Sequence, residues 1–209
     1  MEFIAHRVNT IEELKYIPQE HGVEVDLRDY GDRLVLQHEP FINGEDFEEY
    51  LKHYHHGTLI LNIKSERIEL KVLELLKKYK VKNYFFLDSS FPMIHLLTNN
   101  DEKNVAIRFS EYEGIDTVLA MKGKAKWIWV DCFSQLPLNL ALYKVLKKAG
   151  FKLCLVSPEL QGRDGDLQQY KDYLEEEKLS VDAICTKVYN IDQWKTVEMG
   201  KGERYVEQK

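Results

Sequence analysis

Residues 58–80 read TLILNIKSERIELKVLELLKKYK, and this stretch contains the pattern that decides the fold. Its first part, 58–64, is almost continuously apolar, which is typical of a parallel strand buried on both faces. Its second part has apolar residues at helical spacing, which predicts an amphipathic helix over 66–79. These residues are Ile68, Val72, Leu75, Leu76 and Tyr79. The stretch therefore forms one strand–helix unit.

The same alternation runs along nearly the whole chain. Runs rich in Val, Ile, Leu, Phe and Trp predict strands, and amphipathic segments between them predict helices. The predicted strands are 3–6, 22–27, 33–38, 58–64, 83–89, 104–109, 126–132, 152–157 and 182–186. The predicted helices are 11–20, 44–53, 66–79, 91–98, 114–121, 137–149 and 165–178.

The number of extended runs is one more than the eight strands of a (β/α)₈ barrel. The sequence RDYGDR at 28–33 is too short for a helix. We therefore expect 33–38 to return as a hairpin strand after strand two. The prediction is an α/β protein with one domain over 1–209, a closed (β/α)₈ TIM barrel with one extra hairpin strand.

Composition restricts the classes of function. The 209 residues are 44% hydrophobic and 11% aromatic, so a packed globular domain is expected. A net charge of -6 without a basic stripe argues against a nucleic-acid partner. No apolar run approaches ~20 residues and the N-terminus has no secretory pattern, so we expect a cytoplasmic protein without an integral membrane segment. Consistent with this, Cys132, Cys154 and Cys185 are predicted to be reduced, buried thiols. The polar tail 200–209 is expected to fray, and the sequence leaves the oligomeric state open.

Polar residues in the first third of the chain follow the predicted strands. In an α/β barrel the carboxyl ends of the strands meet on one face, where they build the site. We therefore expect these side chains to share one pocket. They are His6, Arg7, Glu24, Asp26, His38, Asn62 and Lys64.

Glu24 and Asp26 are two residues apart on one strand, so both point to the same side. Two desolvated carboxylates repel each other unless a cation lies between them, and their hard oxygens favour Mg²⁺ or Ca²⁺. The alternative is a structural ion network in which the carboxylates pair with Arg7, Lys64 or Arg108.

His6 and His38 each end a strand and could exchange protons with a substrate. The alternative is that both are structural, hydrogen-bonded groups. Later strand ends add long charged side chains that need a polar cavity or a partner. We predict that Arg108, Glu159 and Lys187 line the site and contact substrate.

The order of these motifs resembles the glycerophosphodiester phosphodiesterase family, one of the phospholipase C-like phosphodiesterase barrels. The family pattern has His-Arg before Asn-Thr, then Glu-x-Asp, a strand ending in His-Asp, Glu-x-Lys, and Ser-Ser-Phe. The resemblance covers roughly the first 95 residues. The matching residues here are His6-Arg7, Asn9-Thr10, Glu24-x-Asp26, His38-Glu39, Asn62-x-Lys64 and Ser89-Ser90-Phe91.

The resemblance implies a role for each matched residue. His6 and His38 would be the acid–base pair, and Arg7 would hold the phosphate. Glu24 and Asp26 would ligate the metal, while Lys64 would support the phosphate or the ligands. The chain departs from the pattern where Val8 replaces Gly, where Glu follows the second His, and where Asn62 replaces the third metal carboxylate. The small insertion that often follows the second His is also missing.

The predicted function is a metal-dependent hydrolase that cleaves a phosphodiester in a glycerophosphodiester-like small molecule. In the resembling family a neighbouring hydroxyl attacks first, giving a cyclic phosphate that water then opens. We assign His6 as base and His38 as acid, with the reverse assignment as the alternative. Two other functions stay open. One is a barrel that acts on or binds a phosphorylated sugar or polyol by different chemistry, and the other is a non-catalytic binding protein.

Overall fold

The computed structural model describes the backbone of residues 1–199 and the side chains up to residue 195. Within this part of the chain, strands and helices alternate as the sequence predicts. The strands are β1 Glu2–Ala5, β2 Gly22–Tyr30, β3 Arg33–Leu36, β4 Glu45–Asp46, β5 Leu59–Ile63, β6 Tyr84–Leu87, β7 Ala106–Phe109, β8 Trp127–Val130, β9 Lys152–Val156 and β10 Ala183–Thr186. The helices are α1 Ile11–Leu14, α2 Phe47–His53, α3 Glu69–Lys78, α4 Phe91–Asn99, α5 Ile115–Ala120, α6 Leu140–Lys148, α7 Leu167–Glu176 and α8 Ile191–Met199.

Eight of these strands run parallel in one curled sheet, in the order β6-β5-β2-β1-β10-β9-β8-β7. The two end strands, β6 and β7, approach each other at a single bridge between Phe86 and Val105. The Phe86 N–H donates to the carbonyl of Asn104 at 2.9 Å. No full ladder joins these ends within 1–199, so the structure shows a curled eight-stranded sheet where we expected a closed barrel.

The extra hairpin forms where it was predicted. Strand β3 pairs antiparallel with β2, and the partners include Leu36 with Leu27. Gly31 at the turn has a φ of 65°, a conformation that glycine adopts without strain. The hairpin continues into β4, so the predicted helix 44–53 begins only at Phe47. Asp46 sets this boundary because its carboxylate caps the helix by accepting the N–H of Glu49 at 3.0 Å.

Two other helix predictions need correction. The helix predicted over 11–20 ends at Leu14, because Pro18 disfavours helical geometry in the residue before it and has no N–H. Helix α8 was not predicted, although Ile191 and Trp194 give it a buried apolar side. The predicted frayed tail, 200–209, lies outside the described residues.

The parallel strands are buried on both faces, as their apolar sequences indicate. Cys132, Cys154 and Cys185 are free thiols inside this core. Burial raises the pKa of all three thiols, that of Cys132 to about 12, so they are poor nucleophiles. None of the described helices has the length and apolar character that crossing a membrane requires.

Candidate active site

The polar residues after β1 are positioned by an unusual backbone conformation. Arg7 has a φ of 57°, in the left-handed region that costs a non-glycine residue about 1–2 kcal/mol. This turn directs the Arg7 N–H at Oε2 of Glu24, 2.7 Å away. The same turn brings Nε of Arg7 to 3.2 Å from Oδ2 of Asp26. Strain at such a position is typical of functional sites.

Glu24 and Asp26 lie side by side on β2 and are almost completely buried. Asn9 holds Asp26 twice, donating to its Oδ2 at 2.9 Å and accepting its backbone N–H at 2.8 Å. Asn62, which lies opposite Asp26 on β5, donates its amide to Oε1 of Glu24 at 2.7 Å. Burial and the charge of Asp26 raise the pKa of Glu24. The sequence drew attention to Asn9 only as part of a motif, and its role in fixing Asp26 was missed.

Two cations of the protein itself pair with Asp26. Arg7 pairs with Asp26, and Nζ of Lys64 lies 3.5 Å from the other oxygen of Asp26. Lys64 also reaches Asp88 at 3.8 Å. The alternative to a metal site was an ion network with Arg7, Lys64 or Arg108. Arg7 and Lys64 do pair with Asp26.

The oxygens of this cluster still offer a place for a hard cation. Oδ1 of Asp26 and Oδ1 of Asn62 are buried and accept no hydrogen bond. One is anionic and the other is a neutral carbonyl, and oxygen ligands of both kinds bind Mg²⁺ and Ca²⁺. Within residues 1–199, however, no three His, Cys, Asp or Glu side chains group as metal ligands. The donor set fits a divalent cation, but with one carboxylate fewer than the family pattern has.

His6 lies at the end of β1 beside this cluster. Its Nε2 is 3.8 Å from Oε2 of Glu24, and its Nδ1 is 3.1 Å from Nζ of Lys187. Burial, Lys187 and Arg7 together lower the pKa of His6 to about 3, so the ring is neutral at pH 7. An ammonium group only donates hydrogen bonds, and Nδ1 must therefore accept. We assign the ring proton to Nε2, which faces Glu24.

Glu159 contacts the backbone of Lys187, next to His6. Its carboxylate accepts from the hydroxyls of Ser157 and Thr186 and from the N–H of Lys187 at 3.0 Å. Burial acts to raise the pKa of Glu159, but these hydrogen bonds outweigh it and lower the pKa. With its oxygens occupied and only 6% of the residue exposed, Glu159 anchors the loop that carries Lys187.

Arg108, near the end of β7, is linked to Lys64 because both contact the carboxylate of Asp88. Its guanidinium donates to both Asp88 and Asp131, and it stacks over the ring of Phe133 at 5.8 Å. Gln161 donates to the second oxygen of Asp131 at 2.8 Å. Asp88 and Asp131 each follow an apolar strand, but the sequence analysis did not predict their shared contact with Arg108.

His38 is the predicted residue that the structure joins least firmly to the others. The chain beside it is close to the site, since the N–H of Gln37 donates to the carbonyl of Asp26 at 2.9 Å. The His38 ring is 37% exposed, and its Nδ1 lies 2.6 Å from Oε1 of Glu39. No recorded contact in the described part of the chain links it to His6. His6, Arg7, Glu24, Asp26, Asn62, Lys64 and Lys187 are thus brought together, whereas His38 stands at their edge.

Comparisons with proteins of known structure identify the fold. No protein-family model and no curated protein sequence matches the chain. Solved structures do match. One is a candidate glycerophosphoryl diester phosphodiesterase of Agrobacterium tumefaciens, with a TM-score of 0.69 and 14% identity over 95% of this chain and 99% of that one. The chain has the fold of the glycerophosphodiester phosphodiesterases.

Two more structures with that fold give the same result. A glycerophosphodiester phosphodiesterase of Agrobacterium tumefaciens aligns with a TM-score of 0.63 and 16% identity, covering 88% of this chain and 96% of that one. A glycerophosphoryl diester phosphodiesterase of Parabacteroides distasonis aligns with a TM-score of 0.59 and 11% identity, covering 99% of this chain and 88% of that one. At these identities the likeness concerns the fold, and the activity has to be argued from the site.

Proposed function

We propose that this protein is a phosphoric diester hydrolase of the glycerophosphodiester phosphodiesterase family that acts on a glycerophosphodiester-like small molecule. The observation that carries the proposal is the meeting of His6, Arg7 and Lys187 beside the Glu24–Asp26 pair. It combines a proton-transfer group, two cations and a carboxylate pair on the fold that phosphodiesterases use. The proposal includes closure of the curled sheet as a barrel and a location in the cytoplasm.

The substrate phosphate would lie against Arg7 and Lys187. Both are partly exposed, and their charges would neutralise the phosphoryl oxygens as negative charge develops. When Lys187 turns from His6 to the phosphate, it releases the lone pair on Nδ1 of His6. The anion also offsets the two positive charges that contribute to the low pKa of His6, so substrate binding itself makes His6 a better base.

His6 would then take the proton of the neighbouring substrate hydroxyl at Nδ1 as its oxygen attacks phosphorus. His38 would protonate the leaving alkoxide. Its Nδ1 is held by Glu39, which leaves Nε2 free to face the leaving group. Water would open the resulting cyclic phosphate with the two histidines in exchanged roles.

Glu24, Asp26 and Asn62 would hold a divalent cation, Mg²⁺ or Ca²⁺. Bound there, the cation would supply Lewis-acid polarisation of the phosphoryl oxygens. Support for this part comes from Oδ1 of Asp26 and Oδ1 of Asn62, two buried oxygens that accept no hydrogen bond.

The test is phosphomonoester release from a panel of glycerophosphodiesters, each paired with an analogue that lacks the neighbouring hydroxyl. The proposal expects turnover of the first member only, with a cyclic phosphate visible by ³¹P NMR. Equal turnover of both members would contradict the attack by the substrate hydroxyl. No turnover of any diester would refute the activity.

Two observations favour a second function, the binding of a phosphorylated polyol without cleavage. Arg7 and Lys64 already pair with Asp26, and His38 contacts Glu39 rather than His6. Binding of glycerol phosphate in calorimetry, together with no diester turnover, would establish this alternative.

A further inference from the structure

Helix α8 is joined to a neighbouring strand end by a buried hydrogen bond. The indole Nε1–H of its Trp194 donates to Oγ of Ser157 at 2.9 Å, and both residues are buried. Ser157 directly follows β9, whereas α8 begins at Ile191, shortly after Lys187 at the end of β10. The chain therefore passes from Lys187 into a helix that returns to the adjacent strand end.

This contact sets the direction of the Ser157 hydroxyl. An indole N–H can only donate, so Oγ of Ser157 accepts from Trp194 and keeps its own proton for another acceptor. That acceptor is Oε2 of Glu159. The other oxygen of Glu159, Oε1, accepts from the Thr186 hydroxyl and from the Lys187 N–H at 3.0 Å. We call Trp194, Ser157 and Glu159 the anchoring chain, because together they end on the backbone of Lys187.

The backbone of His6 is fixed by the same carboxylate. The carbonyl oxygen of Thr186 accepts the His6 N–H at 2.9 Å, while the Thr186 hydroxyl donates to Glu159. Lys187 is the next residue, and its Nζ lies 3.1 Å from Nδ1 of His6. Glu159 therefore holds the two backbone segments whose side chains meet in the site.

The number of donors explains why a carboxylate stands at position 159. Burying a carboxylate costs free energy unless hydrogen bonds compensate for the lost water. An amide in its place would cost less to bury, but it has one acceptor oxygen and turns N–H donors outward on its other side. Because donors approach both oxygens of Glu159, a carboxylate accepts all of them and an amide does not.

We propose that the anchoring chain positions the Lys187 ammonium for the substrate phosphate, with Glu159 acting through the Lys187 backbone and Trp194 acting through Ser157. The phosphate part rests on the proposed function. Glu159 is 6% exposed and Trp194 1%, and their polar atoms are used within the chain. Both are therefore positioning residues rather than catalytic ones.

The position of Lys187 is measured without a ligand from the ¹⁵N chemical shift of Nδ1 of His6 at pH 7. This nitrogen accepts a hydrogen bond from Lys187, and Lys187→Met supplies the shift without that bond. Glu159→Gln should move the shift most of the way to the Lys187→Met value. Trp194→Phe keeps an aromatic ring but removes the N–H donor, so it should move the shift less and in the same direction. Trp127→Phe, at a buried tryptophan on β8, is the control and should give the wild-type shift.

A conservative pair of variants at Thr186 tests the hydroxyl itself. Thr186→Val keeps the size of the side chain and removes its donor to Glu159, so the His6 shift should move towards the Lys187→Met value. Thr186→Ser keeps the hydroxyl and should retain the wild-type shift. Should Glu159→Gln fail to fold, this pair and Trp194→Phe give the same comparison.

Calorimetry with glycerol phosphate measures the consequence for anion binding. Charge alone predicts that Glu159→Gln tightens binding, because it removes a negative group near the anion. The positioning proposal predicts the opposite, a loss of about tenfold, as expected when one charge-assisted hydrogen bond is weakened. In a Lys187→Met background Glu159→Gln should have no further effect, because its action passes through Lys187.

Three results would overturn the proposal. They are a wild-type His6 shift in Glu159→Gln, a wild-type shift equal to that of Lys187→Met, and a change in phosphate affinity by Glu159→Gln that is the same with and without the Lys187 side chain. The last result would show that the anchoring chain only supports the fold. If the wild type neither binds glycerol phosphate nor cleaves a diester, the proposed function fails, and the ¹⁵N shifts still decide whether the chain positions Lys187.

Discussion

The ammonium nitrogen of Lys187 lies 3.1 Å from Nδ1 of His6, although 181 residues separate the two in sequence. Strands β1 and β10 are parallel neighbours, and this pairing brings their carboxyl ends together. Burial and this contact together keep the imidazole neutral, and the contact occupies the nitrogen that would act as base. Occupation of the site by an anion is therefore coupled to the protonation of His6.

Replacing Lys187 should shift the titration of His6. Lys187→Met removes a positive charge beside the ring, so the pKa of His6 should rise from about 3 towards its ordinary value of 6.5. The measurement is an NMR titration of the His6 ring protons. Lys187→Arg keeps the charge and serves as the matched variant, which should retain the low pKa. Identical titration curves in wild type and Lys187→Met would rule out the coupling.

The neutral His6 should also make the protein less stable in acid. Below pH 6.5 the unfolded chain binds a proton at this residue, whereas the folded protein does not until about pH 3. Stability contributed by this group therefore falls as the pH drops through that window, by up to about 1.4 kcal/mol per pH unit. Urea unfolding at pH 7 and pH 4.5 should show a smaller loss for His6→Gln than for wild type. His55→Gln, at an exposed position, should behave as wild type.

Removing either proposed acid–base residue should impair turnover. His6→Ala and His38→Ala should each lower the rate of diester cleavage by at least ~10², the usual contribution of a general acid or base. His55→Ala is the control at an exposed histidine. If His38→Ala cleaves at the wild-type rate while His6→Ala does not, the acid is a different group and His38 is a surface residue paired with Glu39.

The Asp88–Arg108–Asp131 contact should contribute to stability. Arg108→Met leaves the buried carboxylate of Asp131 without its cation, a change that costs about 3–5 kcal/mol for fully buried pairs. Because Arg108 is 24% exposed, we expect about 2 kcal/mol in urea unfolding. Lys15→Met, which breaks the exposed pair with Glu12, should change stability by less than about 0.5 kcal/mol. Equal effects of the two substitutions would contradict a structural role for Arg108.

The sequence predicted which polar residues of the first strands lie together, because strand ends are local features. Runs such as 22–27 and 58–64 are buried on both faces, so their polar interruptions and ends must face the interior or the shared edge. Parallel pairing then brings Glu24, Asp26 and Lys64 together without further information.

Contacts between distant strand ends could not be predicted in the same way. Whether Lys187 reaches His6, or Arg108 reaches Asp131, depends on strand order and on side-chain rotamers, which periodicity does not encode. The position of His38 depends on the path of the hairpin loop, and that loop has no periodic pattern. Helix α8 was missed although Ile191, Trp194 and Val197 recur at a spacing of three residues, which is compatible with a helix.

The substitution Asn62→Asp should change metal affinity and stability in opposite directions. In the wild type, the amide of Asn62 donates to Glu24, and its carbonyl oxygen, which accepts no hydrogen bond, would be a neutral ligand of the proposed cation. The ligand charge would then be -2 from Glu24 and Asp26, and Asn62→Asp would make it -3. Affinity for a hard divalent cation is tuned by the number of charged ligands, so the variant should bind Mg²⁺ or Ca²⁺ more tightly in calorimetry.

Without metal, the same variant should be less stable than the wild type. It replaces a hydrogen-bond donor to Glu24 by a third carboxylate in a buried cluster, and three such charges repel one another. The melting temperature in EDTA should therefore fall, and the gain on adding Mg²⁺ or Ca²⁺ should exceed that of the wild type. Asn99→Asp adds the same charge at an exposed position and should show neither effect. Unchanged metal affinity in Asn62→Asp would place residue 62 outside the metal shell. The cluster of Glu24, Asp26, Arg7 and Lys64 would then be a structural ion network.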